Sequence, residues 1–456
     1  MSFTHLVKTY EVQNDKLLLP KKQLVTYALY ALIAVALLYL FIDPAPASSS
    51  KPAVTLPWVQ QELPPPSPPP YQQPDEVLSS APTQQVAKEA SAPQGCDYSD
   101  GEWVPDPNPP LYNGTTCEAI KDGRSCAANG RRDTGYLHWR WQPRGCELPA
   151  FSPAAFLRWL RHKHVAFVGD SLARNQAESL VCLLSSSRSR PEEEEEEEEL
   201  VDGGRFRRWV FIEHNATVSV FWSPFLVRGV EKAEKAGVPY NDVVLDAFDE
   251  RWMSRLGEVD AVVLSAGQWF KIPSVYHESG RVVGCHACAK ELNHTETSFF
   301  AAFRDAVHRT LVEVARRHEH DAAIHKGRKE KVVAMATFSP SHFEGDWDKG
   351  APCPKKQPYK SGEKEVGYTE AEMRRIVLEE VEAAAARAGG AAAAVRFAAL
   401  DVTTLANLRP DGHPGPYMRK NPVVGDDGRV QNDCLHWCMP GPVDTFNQIL
   451  LQTVLG

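Results

Sequence analysis

The sequence lacks the short motifs that mark nucleotide, calcium and zinc-protease sites. It contains no phosphate-binding Walker motif, no Gly-x-Gly-x-x-Gly fingerprint, no EF-hand loop and no His-Glu-x-x-His pair in a suitable context. It also lacks an excess of basic residues, because 50 Lys and Arg stand against 59 Asp and Glu, for a formal net charge of −9. We therefore predict that the folded domain binds no metal, nucleotide or other resident cofactor, and that nucleic acid is not a partner.

Long apolar runs are scarce, and the one that is present lies near the N-terminus. Residues 24–42, LVTYALYALIAVALLYLFI, carry no charge and approach the roughly 20 residues that a membrane helix needs. Lys16, Lys21 and Lys22 precede the run. The positive-inside rule therefore predicts a cytosolic tail at 1–23, one membrane anchor and a lumenal remainder. A cleaved signal sequence is the alternative, which the length of the preceding segment disfavours.

Two segments have a composition that does not favour packing. Residues 43–94 are rich in Pro, Ser, Ala and Gln without a periodic apolar face, which predicts a disordered stem. Eight consecutive glutamates at Glu192–Glu199 predict a solvated loop, because like charges repel and bury nothing. A short tail, one span and a stem are the layout of a type II membrane enzyme of the Golgi.

Ten cysteines and three Asn-x-Ser/Thr sequons, at Asn113, Asn215 and Asn293, indicate an oxidising compartment. Residues 95–150 are dense in Cys and Trp and predict a small subdomain stapled by disulfides. Its tryptophans either line a sugar-binding cleft or fill a core. Cys285 and Cys288 could begin a zinc site, but no second Cys/His pair lies nearby, so a local disulfide or redox pair is the preferred interpretation.

The stretch His164–Ser171, HVAFVGDS, is the centre of the functional argument. Its apolar residues predict a buried strand, Gly169 ends that strand, and Asp170 and Ser171 can start the helix that follows. A serine at such a junction presents its hydroxyl at the carboxyl edge of a sheet, beside the free N–H groups of a helix N-terminus. Ser171 is therefore a candidate nucleophile, and a plain helix cap is the alternative.

A candidate base for Ser171 lies near the C-terminus. A nucleophilic serine needs a base to take its proton, and the base needs a carboxylate to fix its tautomer. His436 and Asp433 supply both within Asp433–Cys438, DCLHWC. The alternative for His436 is a structural histidine beside Trp437.

Residues 151–456 alternate between strand and helix patterns, which predicts an α/β fold with a parallel sheet sandwiched by helices. A second strong strand ends at Gly267. We predict that the N–H groups of Ser171 and Gly267 bind the oxyanion, with the side-chain amide of Gln268 or Asn175 helping. A simple turn glycine is the alternative for Gly267. Arg174, one helical turn beyond Ser171, is predicted to bind substrate, with a surface ion pair as the alternative.

His342 and Glu344 follow another predicted strand, in the stretch Ser339–Gly345. Because strand ends meet at one edge of the sheet, both side chains are candidates for the edge of the cleft. The alternative is that they are hydrogen-bonded loop residues.

The order Ser…Asp…His, with Asp-x-x-His near the chain end, resembles the SGNH/GDSL hydrolase superfamily. The same motifs, with three further segments, are similar to the plant trichome-birefringence-like family of polysaccharide O-acetyltransferases, which carry a PC-esterase domain. The resemblance covers roughly residues 94–456. The further segments are Cys96–Trp103, Tyr136–Trp141 and Thr337–Gly345.

This resemblance implies an SGNH-like fold for 151–456, a Golgi membrane location and an acetyl-serine mechanism. It implies an acetyl group that comes ultimately from acetyl-CoA and is delivered by other Golgi membrane proteins. It also suggests the disulfides Cys96–Cys146, Cys117–Cys182, Cys126–Cys438 and Cys353–Cys434, which leaves Cys285 and Cys288 to pair.

The acceptor is predicted to be a neutral hemicellulose, because a negative net charge repels an acidic pectin. Within the family, Ser265–Phe270 and Gly284–Cys288 look most similar to the branch of xyloglucan and mannan acetyltransferases. We place xyloglucan first and mannan second. The alternatives are a xylan acetyltransferase, an acetyl esterase with the same triad, and a noncatalytic binder of wall polymers.

Overall fold

The computed structural model describes residues 96–456, apart from residues 121, 188–190, 195–204, 233–238, 289–293, 325–329, 390–393, 423, 426 and 427. The predicted tail at 1–23, anchor at 24–42 and stem at 43–94 lie outside the described residues, as do Asn293 and most of the glutamate run. Within the described ranges, no helix is both long and apolar enough to span a membrane.

Strands and helices alternate through most of the described chain. The strands are β1 Gly101–Pro105, β2 Trp139–Pro143, β3 His164–Gly169, β4 Glu192–Glu194, β5 Phe206–Phe211, β6 Ala216–Trp222, β7 Val227–Val230, β8 Asn241–Phe248, β9 Ala261–Ser265, β10 Ser274–Glu278, β11 Arg281–His286, β12 Lys331–Ala336 and β13 Val395–Leu400. The α-helices are α1 Pro153–Leu160, α2 Ser171–Ser185, α3 Glu250–Met253, α4 Phe299–Ile324, α5 Tyr368–Ala388, α6 Thr403–Asn407 and α7 Val443–Leu455.

A seven-stranded sheet with the order β13-β12-β9-β3-β6-β5-β4 forms the centre of the fold. The strands from β13 to β6 are parallel, whereas β5 and β4 are antiparallel to their neighbours. The prediction of a parallel sheet is therefore correct around β3 and wrong at the β4 edge. A three-residue turn, Ile212–His214, joins β5 to β6. So short a connection reverses the chain, because a parallel crossover needs about a dozen residues. Glu192–Glu194, predicted as loop, form β4.

Helices cover both faces of this sheet. Val165 and Phe167 of β3 pack in one buried cluster with residues of α2 and α7. Ala166 and Val168 point the other way and pack with residues of α4 and α5. Because side chains alternate along a strand, β3 must be apolar on both faces, which explains its continuous apolar run. The predicted sandwich of helices is confirmed.

A second, four-stranded sheet with the order β11-β10-β8-β7 was not predicted. Its pairing is mixed: β10 is parallel to β8, and the two outer pairs are antiparallel. Alternation of buried and half-buried residues is limited to β8, and register shifts interrupt the two antiparallel pairs. Such short, irregular strands give a weak periodic signal, which is why the sequence did not reveal them.

The N-terminal subdomain is built on the antiparallel ribbon of β1 and β2 and is held by disulfides. Trp103 and Trp141 are buried and meet edge to face, with ring centroids 5.5 Å apart. The Trp103 indole N–H donates to the Leu405 carbonyl (2.9 Å), so this ring contributes to the core that joins the subdomain to the rest of the fold.

All the suggested disulfides are present: Cys96–Cys146, Cys117–Cys182, Cys126–Cys438, Cys285–Cys288 and Cys353–Cys434. Two of them bracket the segment that contains His436, because Cys434 lies two residues before it and Cys438 two residues after.

Candidate active site

Ser171 lies at the carboxyl edge of the central sheet, as the first residue of α2. The preceding residue but one, Gly169, has φ of +150°, and a Cβ on it would lie 1.7 Å from the Ser265 carbonyl oxygen. Only glycine allows this close approach of the ends of β3 and β9. The Asp170 N–H then donates to the same carbonyl (3.0 Å). The junction between β3 and α2 is therefore held against the end of β9, where Gly267 follows.

Asp170 is the N-cap of α2 and also reaches the loop after β9. Its Oδ1 accepts the Leu172 N–H (2.9 Å), and its Oδ2 accepts the Gln268 N–H (3.4 Å). Burial raises the pKa of Asp170 to about 6, although those N–H donors and the charge of His436 act to lower it. One buried side chain thus connects the start of the helix that carries Ser171 to the predicted oxyanion loop and lies within electrostatic range of the predicted base.

Asp433 holds His436 in a defined orientation. Oδ2 of Asp433 accepts from Nδ1 of His436 (2.8 Å), while its Oδ1 accepts the backbone N–H groups of Leu435 (3.0 Å) and His436 (2.9 Å). Burial acts to raise the pKa of the Asp433 carboxyl, but the charge of His436 and these hydrogen bonds hold it well below its usual range. Asp433 is therefore ionised, and it fixes the His436 tautomer that has its proton on Nδ1.

Nε2 of His436 is buried and has no hydrogen-bond partner among the described residues. Buried polar atoms are normally paired, so an unpaired imidazole nitrogen calls for a reason. In the neutral imidazole, with Nδ1–H donated to Asp433, this nitrogen carries a lone pair. It is thus available to accept a proton from a hydroxyl group.

Asn175 brings the segment that carries His436 to the first turn of α2. It is fully buried, its Oδ1 accepts the Trp437 N–H (2.7 Å), and its Nδ2 donates to the Trp437 carbonyl (3.3 Å). Ser171 and Asn175 are four residues apart and so share one face of α2. Because Trp437 directly follows His436, these contacts place Ser171 and His436 in the same region of the molecule. They differ from the predicted oxyanion contact of Asn175, since its amide binds the neighbouring backbone.

The other predicted substrate residues surround this point. Gly267 follows β9 with φ of +145°, and a Cβ there would lie 2.9 Å from side-chain atoms of Met373 and Phe338. Packing and backbone conformation alone therefore require glycine, in agreement with the turn-glycine alternative. The Gln268 side-chain amide donates to the Ser339 carbonyl (2.9 Å). The Arg174 guanidinium lies over the ring of Trp222, 5.2 Å from its centroid.

Sequence reasoning missed His413, whereas the second of its two interpretations of His342 is correct. His342 is a hydrogen-bonded loop residue, in contact with His413 Nε2 (2.7 Å) and the Asn407 carbonyl (2.9 Å), and Glu344 is exposed. Nδ1 of His413 contacts the His436 carbonyl (2.7 Å). A lone histidine in a loop gave no signal that it would contact the backbone of His436.

Among the described residues, one group of side chains has the spacing of a metal site: Cys285, Cys288 and Glu296. Both sulfur atoms belong to a disulfide and are not thiolates, so the group does not fit zinc. The preferred prediction of a local disulfide is confirmed.

Comparison with known proteins adds two family matches. Residues 148–453 match the PC-Esterase model, described as a GDSL/SGNH-like acyl-esterase family found in Pmr5 and Cas1p, and residues 94–147 match the PMR5 N terminal domain.

Three named relatives are similar over most of their length. Xyloglucan O-acetyltransferase 2 of Populus trichocarpa is 51% identical over 362 residues, 79% of this chain and 82% of the relative. Xyloglucan O-acetyltransferase 1 of the same organism is 46% identical over 436 residues, 95% of this chain and 93% of the relative. Xyloglucan O-acetyltransferase 1 of Arabidopsis thaliana is 48% identical over 359 residues, 78% of this chain and 80% of the relative.

Proposed function

The chain belongs to the GDSL/SGNH-like acyl-esterase family found in Pmr5 and Cas1p, and on this basis we propose that it transfers acetyl groups to the hydroxyl groups of a hemicellulose. The family resemblance inferred from the motifs around Ser171 and His436 is confirmed. Among acceptors we place xyloglucan first and mannan second. The names of the relatives support xyloglucan, because three of them are xyloglucan O-acetyltransferases.

The observation that carries this proposal is the unpaired, buried Nε2 of His436, held by ionised Asp433 near the first turn of α2. A histidine with a merely structural role would use both ring nitrogens. Here one nitrogen is donated to a carboxylate and the other has no partner in the described part of the chain, which suits a general base for Ser171.

The reaction has two steps that share these groups. In the first, Ser171 Oγ attacks the acetyl carbonyl carbon of the donor while His436 Nε2 takes the hydroxyl proton. The bond from the carbonyl carbon to the leaving group then breaks, and the leaving group receives that proton. In the second, a sugar hydroxyl attacks the acetyl-serine and gives its proton to His436. The ester bond to Ser171 breaks, and Ser171 Oγ regains a proton.

The start of α2 is suited to stabilising the oxyanion of both steps. Asp170 caps Leu172 and so leaves the Ser171 N–H at the first helical position, where the helix dipole is positive. We assign the second donor to the Gly267 N–H, at the end of the adjacent strand β9. Each such donor is worth about 10² to 10³ in rate where it has been removed from other enzymes.

We further propose that the enzyme is a single-pass type II protein of the Golgi membrane with its catalytic domain in the lumen. The uncharged run at 24–42 and the lysines before it support this proposal. The disulfides of the described domain agree with an oxidising compartment. The acetyl donor, derived ultimately from acetyl-CoA, would be supplied by other membrane proteins.

The test is acetyl transfer by the purified full-length chain, measured by mass spectrometry with xyloglucan, glucomannan, xylan and homogalacturonan side by side. Ser171→Ala should lower transfer by about 10⁴-fold or more, since it removes the nucleophile. Ser185→Ala, at the far end of the same helix, is the matched control and should retain wild-type rates. A wild-type rate of transfer by Ser171→Ala would refute the acetyl-serine mechanism. Preferential labelling of xylan or homogalacturonan would refute the substrate assignment.

An acetyl esterase with the same triad is the second candidate, because water can replace the sugar in the second step. It predicts free acetate without acetylated polymer in the same assay. Polymer binding that is unaffected by Ser171→Ala, with no transfer by the wild type, would instead indicate a noncatalytic binder.

A further inference from the structure

Two histidines outside the triad connect the backbone of His436 to the end of α6. The chain of contacts runs from the Asn407 carbonyl to Nε2 of His342 (2.9 Å), from Nδ1 of His342 to Nε2 of His413 (2.7 Å), and from Nδ1 of His413 to the His436 carbonyl (2.7 Å). His413 is 3% exposed. All four ring nitrogens of the pair are therefore used.

The number of protons in this chain is set by its two ends. Both end groups are carbonyl oxygens, which accept hydrogen bonds and cannot donate them. Three hydrogen bonds in a row need three protons, and all three must come from the four ring nitrogens. Two neutral imidazoles supply only two protons. Each neutral arrangement leaves at least one contact of 2.7 to 2.9 Å between two lone pairs, either N to N or N to O.

We propose that His342 and His413 together hold one extra proton, and that the protonated pair fixes the backbone carbonyl of His436 and so positions its imidazole. Both histidines are positioning residues, because they act through the backbone of His436. The inference rests on the proposed role of His436 as the base.

The surroundings offset part of the cost of this buried charge. Burial lowers the pKa of both histidines, so the extra proton needs compensation. The His413 ring stacks on the indole of Trp437, with centroids 4.2 Å apart and 19° between the planes, an arrangement that favours a cation. The hydrogen bonds to two carbonyl oxygens also favour the protonated form.

Charged groups of both signs act on the pair. Burial has the largest effect and lowers the pKa of both histidines, whereas Asp411 and Glu370 act to raise the pKa of His342 and Asp433 acts to raise the pKa of His413. Lys364 lowers the pKa of His342. The arginines nearby are engaged: Arg409 pairs with Asp411, and Arg131 donates to the carbonyls of Asp411 and His413. The charged groups around the pair are thus Asp411, Arg409, Arg131, Lys364, Glu370, Asp433 and His436.

The contact between His413 and the His436 carbonyl is the third of the polar contacts that hold His436 and the residue after it. The side chain of His436 is held by Asp433, and the backbone of the following residue is held by Asn175. The carbonyl of His436 itself has the His413 ring as its partner. Loss of the proton between these two atoms would turn an attraction into a lone-pair repulsion and displace the base.

The direct test counts protons on the pair by NMR of ring nitrogens in the full-length chain labelled with ¹⁵N-histidine. His342→Gln and His413→Gln assign the two rings among the 15 histidines. We expect three of the four ring nitrogens to carry a proton at neutral pH. Two protonated nitrogens at that pH would overturn the proposal. The count needs no substrate, so it stands apart from the triad test with Ser171→Ala.

The functional test is the split between kcat and KM in the same two variants. Each should lower kcat by about 10 to 100-fold, the cost of displacing a catalytic group by up to about 1 Å, with little change in KM for the acceptor. His308→Gln is the matched control, because His308 pairs with Glu380 on the surface of α4 (2.8 Å) and should leave kcat unchanged. An unchanged kcat in a folded His413→Gln variant would also overturn the positioning role.

Discussion

Replacing Asp433 by Asn should abolish most of the activity while leaving the fold in place. The carbonyl oxygen of an asparagine can still accept the N–H groups of Leu435 and His436, as Oδ1 of Asp433 does at 3.0 and 2.9 Å. Its –NH₂ group, however, would face Nδ1 of His436, where Oδ2 now accepts at 2.8 Å. Two donors cannot face each other, so the histidine would move its proton to Nε2.

The magnitude follows from this change of tautomer. With the proton on Nε2, the atom that should accept the Ser171 proton is itself a donor, and the base is lost without a change of shape. The corresponding change in the serine-protease template lowers kcat about 10⁴-fold, equal to about 5.4 kcal/mol of transition-state stabilisation. We therefore expect kcat for acetyl transfer to xyloglucan oligosaccharides to fall by about 10⁴ with the acceptor KM nearly unchanged.

The control is Asp246→Asn, another carboxylate that accepts a backbone N–H, from Ser279 (2.7 Å), in the second sheet. Its kcat should equal that of the wild type. A second readout is stability. The lowered pKa of Asp433 stabilises the fold fully above the ordinary carboxyl range near pH 4, and this contribution is lost progressively as the pH falls below that range towards the folded pKa. A kcat for Asp433→Asn within tenfold of the wild type would refute the role of Asp433.

Two further predictions concern the disulfides and a second buried carboxyl. Replacing both cysteines of Cys353–Cys434 by Ser should lower kcat, while circular dichroism shows that the sheet stays folded. The same change at Cys285–Cys288 should have little effect on kcat. Equal activities of the two variants would contradict the idea that Cys353–Cys434 fixes the segment that carries His436. Burial raises the pKa of Asp444 to about 6, so its protonation stabilises the fold fully below about pH 4 and this contribution is lost as the pH rises through 6. Between pH 4 and 7 the unfolding free energy of the wild type should therefore fall by up to roughly 3 kcal/mol more than that of Asp444→Asn. Denaturant titration measures both free energies, and parallel pH profiles of the two proteins would contradict this prediction.

The sequence was informative wherever one local pattern decides the structure. The apolar run of β3 and the capping residue Asp170 located the strand, the helix start and Ser171 without knowledge of the rest of the chain. The predicted strand that Gly169 ends corresponds to β3, His164–Gly169, and the predicted helix that follows it corresponds to α2, Ser171–Ser185. These elements have long, regular patterns and clear end signals, so tertiary contacts had little to override.

The sequence failed where distant segments decide. The second sheet depends on the pairing of short strands with weak alternation. The antiparallel edge of the central sheet depends on the short turn between β5 and β6 and on the pairing of β4 with β5, although the glutamates of β4 predict a loop. The contacts of Asn175 with Trp437 and of His413 with His436 join residues 262 and 23 positions apart. No local pattern encodes such a contact, because the partner becomes known only once the fold brings it near.

His436, the proposed base, lies on a loop. Its position must therefore be fixed by disulfides and hydrogen bonds and not by regular secondary structure. The segment Asp433–Cys438 lies outside the helices and the named strands, with a single bridge between Asp433 and Gly415. Disulfides from Cys434 and Cys438 fix both ends of it, and the second of these closes a loop of 312 residues. Polar contacts from Asn175 and His413 fix the middle. Neither His413 nor His436 belongs to the two buried clusters on the faces of the sheet. Loss of the contact between these two residues should therefore reduce the rate well before it unfolds the domain, because catalysis responds to displacements of about 1 Å that folding stability tolerates.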